Sequence, residues 1–157
     1  MASTHQTTHS QQDYLEAVLV LEKEKGEARV SDIATSVGVG KSSASIAIRN
    51  LRELGFVQHG HYGAVKLTES GREVASEIHR RHMVLRRFLV DQLGLPEDVA
   101  EHDACQMEHV VSVRFMKRLI KFLEFASECP LGGVFWDEER DSYVCDIREN
   151  SAEDEKQ

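Results

Sequence analysis

Apolar positions recur at helical spacing along most of the chain, interrupted before residue 72 by one stretch that reads as paired strands. Tyr14, Leu15, Val18, Leu19 and Leu21 predict a first helix that begins near Ser10 and stops at Gly26. Residues 29–38 read as a short capped helix ending in a glycine turn, with Ser31 or an adjacent residue as its cap. After Val39-Gly40, the segment Lys41 to Leu54 places Ala44, Ala47, Ile48 and Leu51 on a core face and closes at Gly55. Two helices joined by a tight glycine-containing turn form a helix-turn-helix. Residues 56–67 follow as short strand, glycine-bearing turn and short strand, and a hairpin in that position is a wing.

The second half is helical again. Thr68-Glu69-Ser70-Gly71 caps a long helix expected over Glu69 to Leu93, with Val74, Ile78, Val84, Leu85, Phe88 and Leu89 as its stripe. Gly94-Leu95-Pro96 ends it. The next helix starts at Pro96-Glu97-Asp98 and carries Cys105, Glu108 and His109. It runs into Ser112 and an amphipathic helix from Val113 to Ala126. Val134-Phe135-Trp136 and Tyr143-Val144-Cys145 read either as short strands or as a loosely packed tail. The fold class expected is mainly α, with a winged helix-turn-helix over 1–72, a helical domain over 73–128 and a tail over 129–157. Residues 1–10 and the acidic stretch Glu149 to Gln157 are expected to be disordered.

Charge changes this picture in one respect. Nineteen Lys and Arg face twenty-seven Asp and Glu, a formal net charge of −8, which argues against non-specific coating of nucleic acid. The imbalance is confined to the second half: residues 1–72 hold eight acids and eight bases. Three distant cysteines make no disulfide framework. No leader and no apolar run approaching a membrane span is visible, so a reducing cytoplasm is the expected setting.

Two groups of residues carry chemistry. On the second helix of the helix-turn-helix, Lys41, Ser42, Ser43, Ser45 and Arg49 fall on the exposed side. Small hydroxyls and cations there, with Arg29 at the start of the preceding short helix, suit phosphates and base edges of a DNA major groove. The other group is Cys105-Gln106-Met107-Glu108-His109, where a thiolate, a carboxylate and an imidazole share one face if the segment is helical. A buried thiol beside a solvated Glu-His pair is the plain alternative. Asp13 and Glu16 are acids near a helix N-terminus, which the macrodipole alone explains. His79 and His82 sit midway along the long helix, His59 and His61 face phosphate or solvent on a wing tip, and Cys129 and Cys145 are packing thiols.

The order and spacing of Asp13-Tyr14-Leu15-Glu16, Ala28-Arg29-Val30-Ser31-Asp32-Ile33-Ala34, Leu67-Thr68-Glu69-Ser70-Gly71, Arg81-His82 and Cys105-Gln106-Met107-Glu108-His109 give a resemblance across about residues 10–126. The chain resembles the diphtheria-toxin-repressor family of metal-activated bacterial regulators, particularly its manganese transport regulator branch. The resemblance implies a winged-helix DNA-binding domain, a helical dimerisation domain and a divalent metal bound between them that favours the DNA-competent homodimer. Carried over by position, Asp13, Glu16, His82, Glu108 and His109 match the manganese-branch ligands. Cys105 stands where that branch has a carboxylate and the iron branch a cysteine, so the ligand set is a hybrid. Arg86 replaces an acid of the iron branch's ancillary site, while Glu101, His102 and Asp103 remain candidate auxiliary ligands.

The function expected is a metal-activated repressor. It would respond to Mn²⁺ or Fe²⁺, with Co²⁺ or Zn²⁺ able to substitute, and bind a palindromic double-stranded operator near metal-uptake genes. No membrane and no small-molecule substrate is expected. A metal-independent winged-helix regulator with a structural polar network is the main rival, and a metalloenzyme or a small-molecule-dependent regulator a weaker one. Against an enzyme, the chain has no Gly-rich phosphate loop, nucleophile elbow or His-Glu-x-x-His motif.

Overall fold

The structure, a computed structural model, describes residues 7–60, 63–128, 134–137, 139–140 and 142–145, with the backbone alone at 59, 128, 134–136 and 142–145. The expectations for residues 1–6, His61, Cys129 and Glu149 to Gln157, and for the side chains of His59 and Cys145, lie outside the described residues. The chain forms two compact units, the first ending at Arg80 and the second starting at Arg81.

The first unit begins with helix α1 (His9–Lys25). It starts one residue before Ser10 because Thr8 closes a capping box: its backbone N–H donates to Gln11 Oε1 (2.9 Å) and its Oγ1 accepts from Gln11 N–H (3.3 Å). Tyr14, Leu15, Val18, Leu19 and Leu21 are buried. Helix α2 (Val30–Val37) is capped differently from the expectation. Arg29 is the cap, with no side-chain capping bond, and Ser31 lies inside the first turn, its carbonyl accepting from Thr35 Oγ1 at 3.1 Å. The cause is the preceding residue: Ala28 O accepts from Val65 N–H at 2.7 Å, so the chain turns into the helix straight out of a β-bridge.

Gly38 ends α2 at φ 75°, a conformation that costs a side chain energy, and this makes the turn tight enough for α3 (Lys41–Glu53) to follow. Helix α3 buries Ala44, Ile48 and Leu51 against Leu15, Val18, Ile33 and their neighbours, with Ala47 partly buried beside them. Strands β1 (Val57–His59) and β2 (Val65–Leu67) pair antiparallel, Val57 opposite Leu67 and His59 opposite Val65. This is the winged helix-turn-helix. Glu22 ties three elements together: it accepts from Leu67 N–H (3.2 Å) and pairs with Arg72 (2.6 Å).

Helix α4 (Glu69–Arg87) starts at Thr68, whose Oγ1 accepts from Gly71 N–H at 3.1 Å and donates to Gly55 O at 2.7 Å. Its Val74 and Ala75 belong to the first core, and its Leu85 to the second. That division of one helix puts the unit boundary after Arg80, later than residue 72.

The second unit departs from a regular α-helix at Phe88. Residues Phe88–Gln92 form a π-helical turn, with Leu93 N–H reaching Phe88 O at 3.3 Å. The wider turn lets Phe88, Leu89, Val90 and Leu93 all meet one core, which a 3.6-residue period cannot do. Helix α5 (Glu97–Met107) lays Ala100 and Ala104 on that core, and α6 (Val113–Glu128) adds Met116, Leu119 and Leu123. Phe88 and Phe122 meet edge to face at 6.3 Å. Ser112 Oγ accepts from Phe115 N–H at 3.1 Å and so opens α6.

Helix α5 ends at Met107, so Cys105, Glu108 and His109 do not all lie on one helix. Glu108 is its C-cap, and Met107 O then accepts from both Val110 and Val111 N–H at 3.0 Å, tightening the exit. Strands β3 (Val134–Asp137) and β4 (Ser142–Cys145) pair antiparallel, which decides for strands over a loose tail in the segment after the expected helical domain.

Candidate metal centre

Glu108 is the one carboxylate among the described residues that is buried completely, at 0% exposure. A bare buried carboxylate is costly, so its surroundings must compensate. Helix α4 supplies His82, whose Nδ1 lies 2.7 Å from Glu108 Oε2. The turn after α5 supplies His109, with Nε2 at 3.3 Å from Glu108 Oε1. Both imidazoles are largely buried, His82 at 10% and His109 at 7% side-chain exposure. Arg81 donates to the Glu108 backbone carbonyl at 3.4 Å and so helps hold the turn.

Glu108 Oε1 accepts no hydrogen bond among the described residues although it is buried. Such an atom calls for an explanation. Two imidazoles converging on a buried carboxylate with spare acceptor capacity form a nitrogen and oxygen donor set suited to a first-row divalent ion. The residues present therefore fit the metal that the resemblance implies.

A second layer surrounds His82. Its Nε2 lies 3.1 Å from Glu101 Oε1, and Glu101 Oε2 is 3.1 Å from Arg86 Nε. Arg86 also holds Glu97, at 3.0 Å. Of the candidate auxiliary ligands, Glu101 thus contacts His82, while His102 is exposed and Asp103 half-buried on the same helix.

In the first unit Asp13 and Glu16 lie half-buried on α1, and Glu16 Oε1 is 3.0 Å from His79 Nδ1. Cys105 sits on an exposed position of α5. The structure thus gathers His82, Glu108 and His109 in one unit, places Asp13 and Glu16 on a helix of the other, and leaves Cys105 at a surface. The pairings of His79 with Glu16 and of Glu101 with His82 were missed in the sequence. The one available signal was the i, i+3 spacing of His79 and His82, which puts both rings on one side of α4.

The DNA-facing expectations fall where helical geometry puts them. Lys41, Ser42, Ser43, Ser45 and Arg49 are all exposed on α3. Ser45 Oγ donates back to Lys41 O at 2.9 Å, and Arg29 is paired with Glu27 at 2.7 Å.

The sequence matches the iron-dependent repressor N-terminal DNA-binding domain over residues 6–65 and the iron-dependent repressor metal-binding and dimerisation domain over residues 68–137. An HTH-type transcriptional regulator from Methanocaldococcus jannaschii is 33% identical over 118 residues, covering 74% of this chain and 94% of that protein. The chain belongs to the iron-dependent repressor family. The transcriptional regulator MntR of Salmonella typhimurium is 35% identical over 112 residues, 71% of each chain. Among solved structures, a manganese-dependent transcriptional repressor in complex with manganese superposes with a TM-score of 0.68 at 36% identity, over 85% of this chain and 61% of its own. The chain spans about three fifths of that repressor's length. This is a family of transcriptional regulators and not of enzymes, which sets the metalloenzyme reading aside. No helix among the described residues is long and apolar enough to cross a membrane.

Proposed function

We propose that this iron-dependent repressor family member is a metal-activated transcriptional repressor, with Mn²⁺ or Fe²⁺ as effector. The observation that carries the proposal is the fully buried Glu108 set between His82 and His109 with an acceptor atom to spare. His82, Glu108 and His109 are the ligands supported by geometry. Asp13 and Glu16 are ligands by the resemblance, and Cys105 is the variable one. A bound divalent cation supplies positive charge to carboxylates that otherwise repel one another.

His82 and Glu108 hold their donor atoms ready within the second unit, whereas Asp13 and Glu16 are carried by the unit that reads DNA. An arrangement that needs donors from both is favoured by whatever neutralises them, and the effector acts through its differential affinity for that arrangement. Lys41, Ser42, Ser43, Ser45 and Arg49 on α3, with Arg29, then contact phosphates and base edges of a pseudo-palindromic operator, read by a homodimer near metal-uptake genes. Oxygen and nitrogen donors suit Mn²⁺, and the Cys105 thiolate shifts preference toward Fe²⁺, Co²⁺ or Zn²⁺.

The test is anaerobic selection of genomic fragments on the immobilised protein, with chelator and then with each metal restored. Recovery of a discrete set of fragments that a chelator wash releases supports the proposal. Recovery of the same fragments in chelator assigns the protein to metal-independent regulators and makes the His82–Glu108–His109 cluster structural.

A further inference from the structure

The contact network around His82 extends one layer beyond Glu108, and nothing in the proposed metal chemistry accounts for that layer. His82 presents one ring nitrogen to each of two carboxylates: Nδ1 to Glu108 and Nε2 to Glu101. Glu101 differs in kind from Glu108, because its side chain is 58% exposed where Glu108 is wholly buried. An exposed glutamate normally samples several rotamers. This one is held by Arg86, whose Nε meets the second carboxylate oxygen while its terminal nitrogen meets Glu97. The guanidinium fork suits this task, since it engages two carboxylates in a fixed plane.

We infer that Glu101, oriented by Arg86, is a positioning residue that fixes the His82 imidazole with Nδ1 directed at the metal-binding carboxylate Glu108. This inference rests on the proposed role of His82 and Glu108 as metal ligands. An imidazole has two nitrogens, and the partner of one determines which face and which tautomer it offers through the other. Glu101 Oε1 lies 3.1 Å from Nε2, and an Nε2–H directed at it would leave the Nδ1 lone pair for a metal ion held by Glu108. The role is distinct from ligation: Glu101 acts through His82, and Arg86 acts through Glu101. The charges also fit, because the Arg86 cation offsets the carboxylates of Glu97 and Glu101 without occupying the buried position beside Glu108.

The experiment is titration of the full-length metal-free protein with Co²⁺, followed by visible absorption, for wild type, Glu101→Ala, Glu101→Gln, Arg86→Gln and Glu108→Ala. Contacts of this outer kind change metal affinity by about 10–100-fold when removed. Glu101→Ala is expected to weaken Co²⁺ binding within that range and to alter the band shape. Glu101→Gln, whose amide oxygen still accepts from Nε2–H, recovers part of the loss, and Arg86→Gln weakens binding less than Glu101→Ala. Thermal unfolding of the metal-free variants at Glu101, an exposed position, stays at the wild-type temperature. Glu101→Ala with wild-type affinity and spectrum, while Glu108→Ala has lost Co²⁺, overturns the positioning role alone. Glu108→Ala with wild-type affinity overturns the ligand reading and the positioning role with it.

Discussion

Two residues fix more of this molecule than their size suggests. A Cβ built on Gly71 comes within 1.9 Å of the Phe56 backbone oxygen, and no side-chain movement relieves a clash with a backbone atom. Gly71→Ala must therefore push the start of α4 away from the wing. Its expected cost is about 1–3 kcal/mol or somewhat more, read as a lower urea midpoint in the metal-free protein. Glu108 is the second. Glu108→Gln keeps the shape of the side chain but removes the charge, so the metal-free fold should persist. Mn²⁺ affinity should fall by more than about 100-fold, beyond what loss of an outer contact causes. Equilibrium dialysis decides this: retention of wild-type affinity would remove Glu108 from the ligands. The residue identities at this centre were legible because they fall in short, dense motifs. Their environment was not, since no spacing reveals that Glu108 is buried, that Cys105 is exposed, or that Glu101 reaches His82.

Among the elements, the helices with clear apolar period were legible and the irregular joints were not. Helices α1, α3, α4 and α6 follow their stripes closely. The π-helical turn after Arg87 escaped because Phe88 and Leu89 also fit an ordinary helical stripe, and only the shared core explains why Val90 is apolar as well. The end of α5 at Met107 escaped because it has no glycine and rests on two backbone donors converging on one carbonyl. The cap of α2 escaped because the bridge from Ala28 to Val65 is a long-range contact.

Helix α3 carries a prediction at this same scale. If Lys41 and Arg49 meet phosphates, replacing either by Ala weakens binding to specific and unrelated DNA alike. Each replacement also reduces the slope of log affinity against log salt by about 1. An unchanged slope, measured by fluorescence anisotropy across a salt series, would move the DNA contact off α3. Ser42 and Ser43, uncharged, should alter sequence preference and leave that slope unchanged.

At the scale of the whole molecule, an acidic protein of net charge −8 must bind DNA through a local surface rather than its overall field. The near-neutral first 72 residues permit this, with the acids gathered in the second half. That half also leaves apolar side chains open to solvent: Val110 is 68% exposed, Phe125 71%, Phe122 49% and Phe115 41%. Phe115, Phe122 and Phe125 run along one side of α6 beside its buried stripe, and the second half matches a dimerisation domain. Phe125→Glu should loosen the dimer by about 30-fold or more, the effect of losing an aromatic anchor worth about 2 kcal/mol. Sedimentation velocity over a concentration series checks it, and an undisturbed dimer would place the interface elsewhere.

The central claim is that metal and DNA favour the same state of the protein. Linkage makes this reciprocal: if metal tightens DNA binding, DNA must tighten metal binding by the same factor. The decisive measurement is Mn²⁺ affinity by calorimetric titration, with and without a saturating operator fragment recovered by the genomic selection. Tighter Mn²⁺ binding in the presence of operator, lost in Glu108→Gln, is the predicted result. Equal Mn²⁺ affinity in both states would contradict metal activation and leave a DNA-binding protein whose His82–Glu108–His109 cluster serves only its fold.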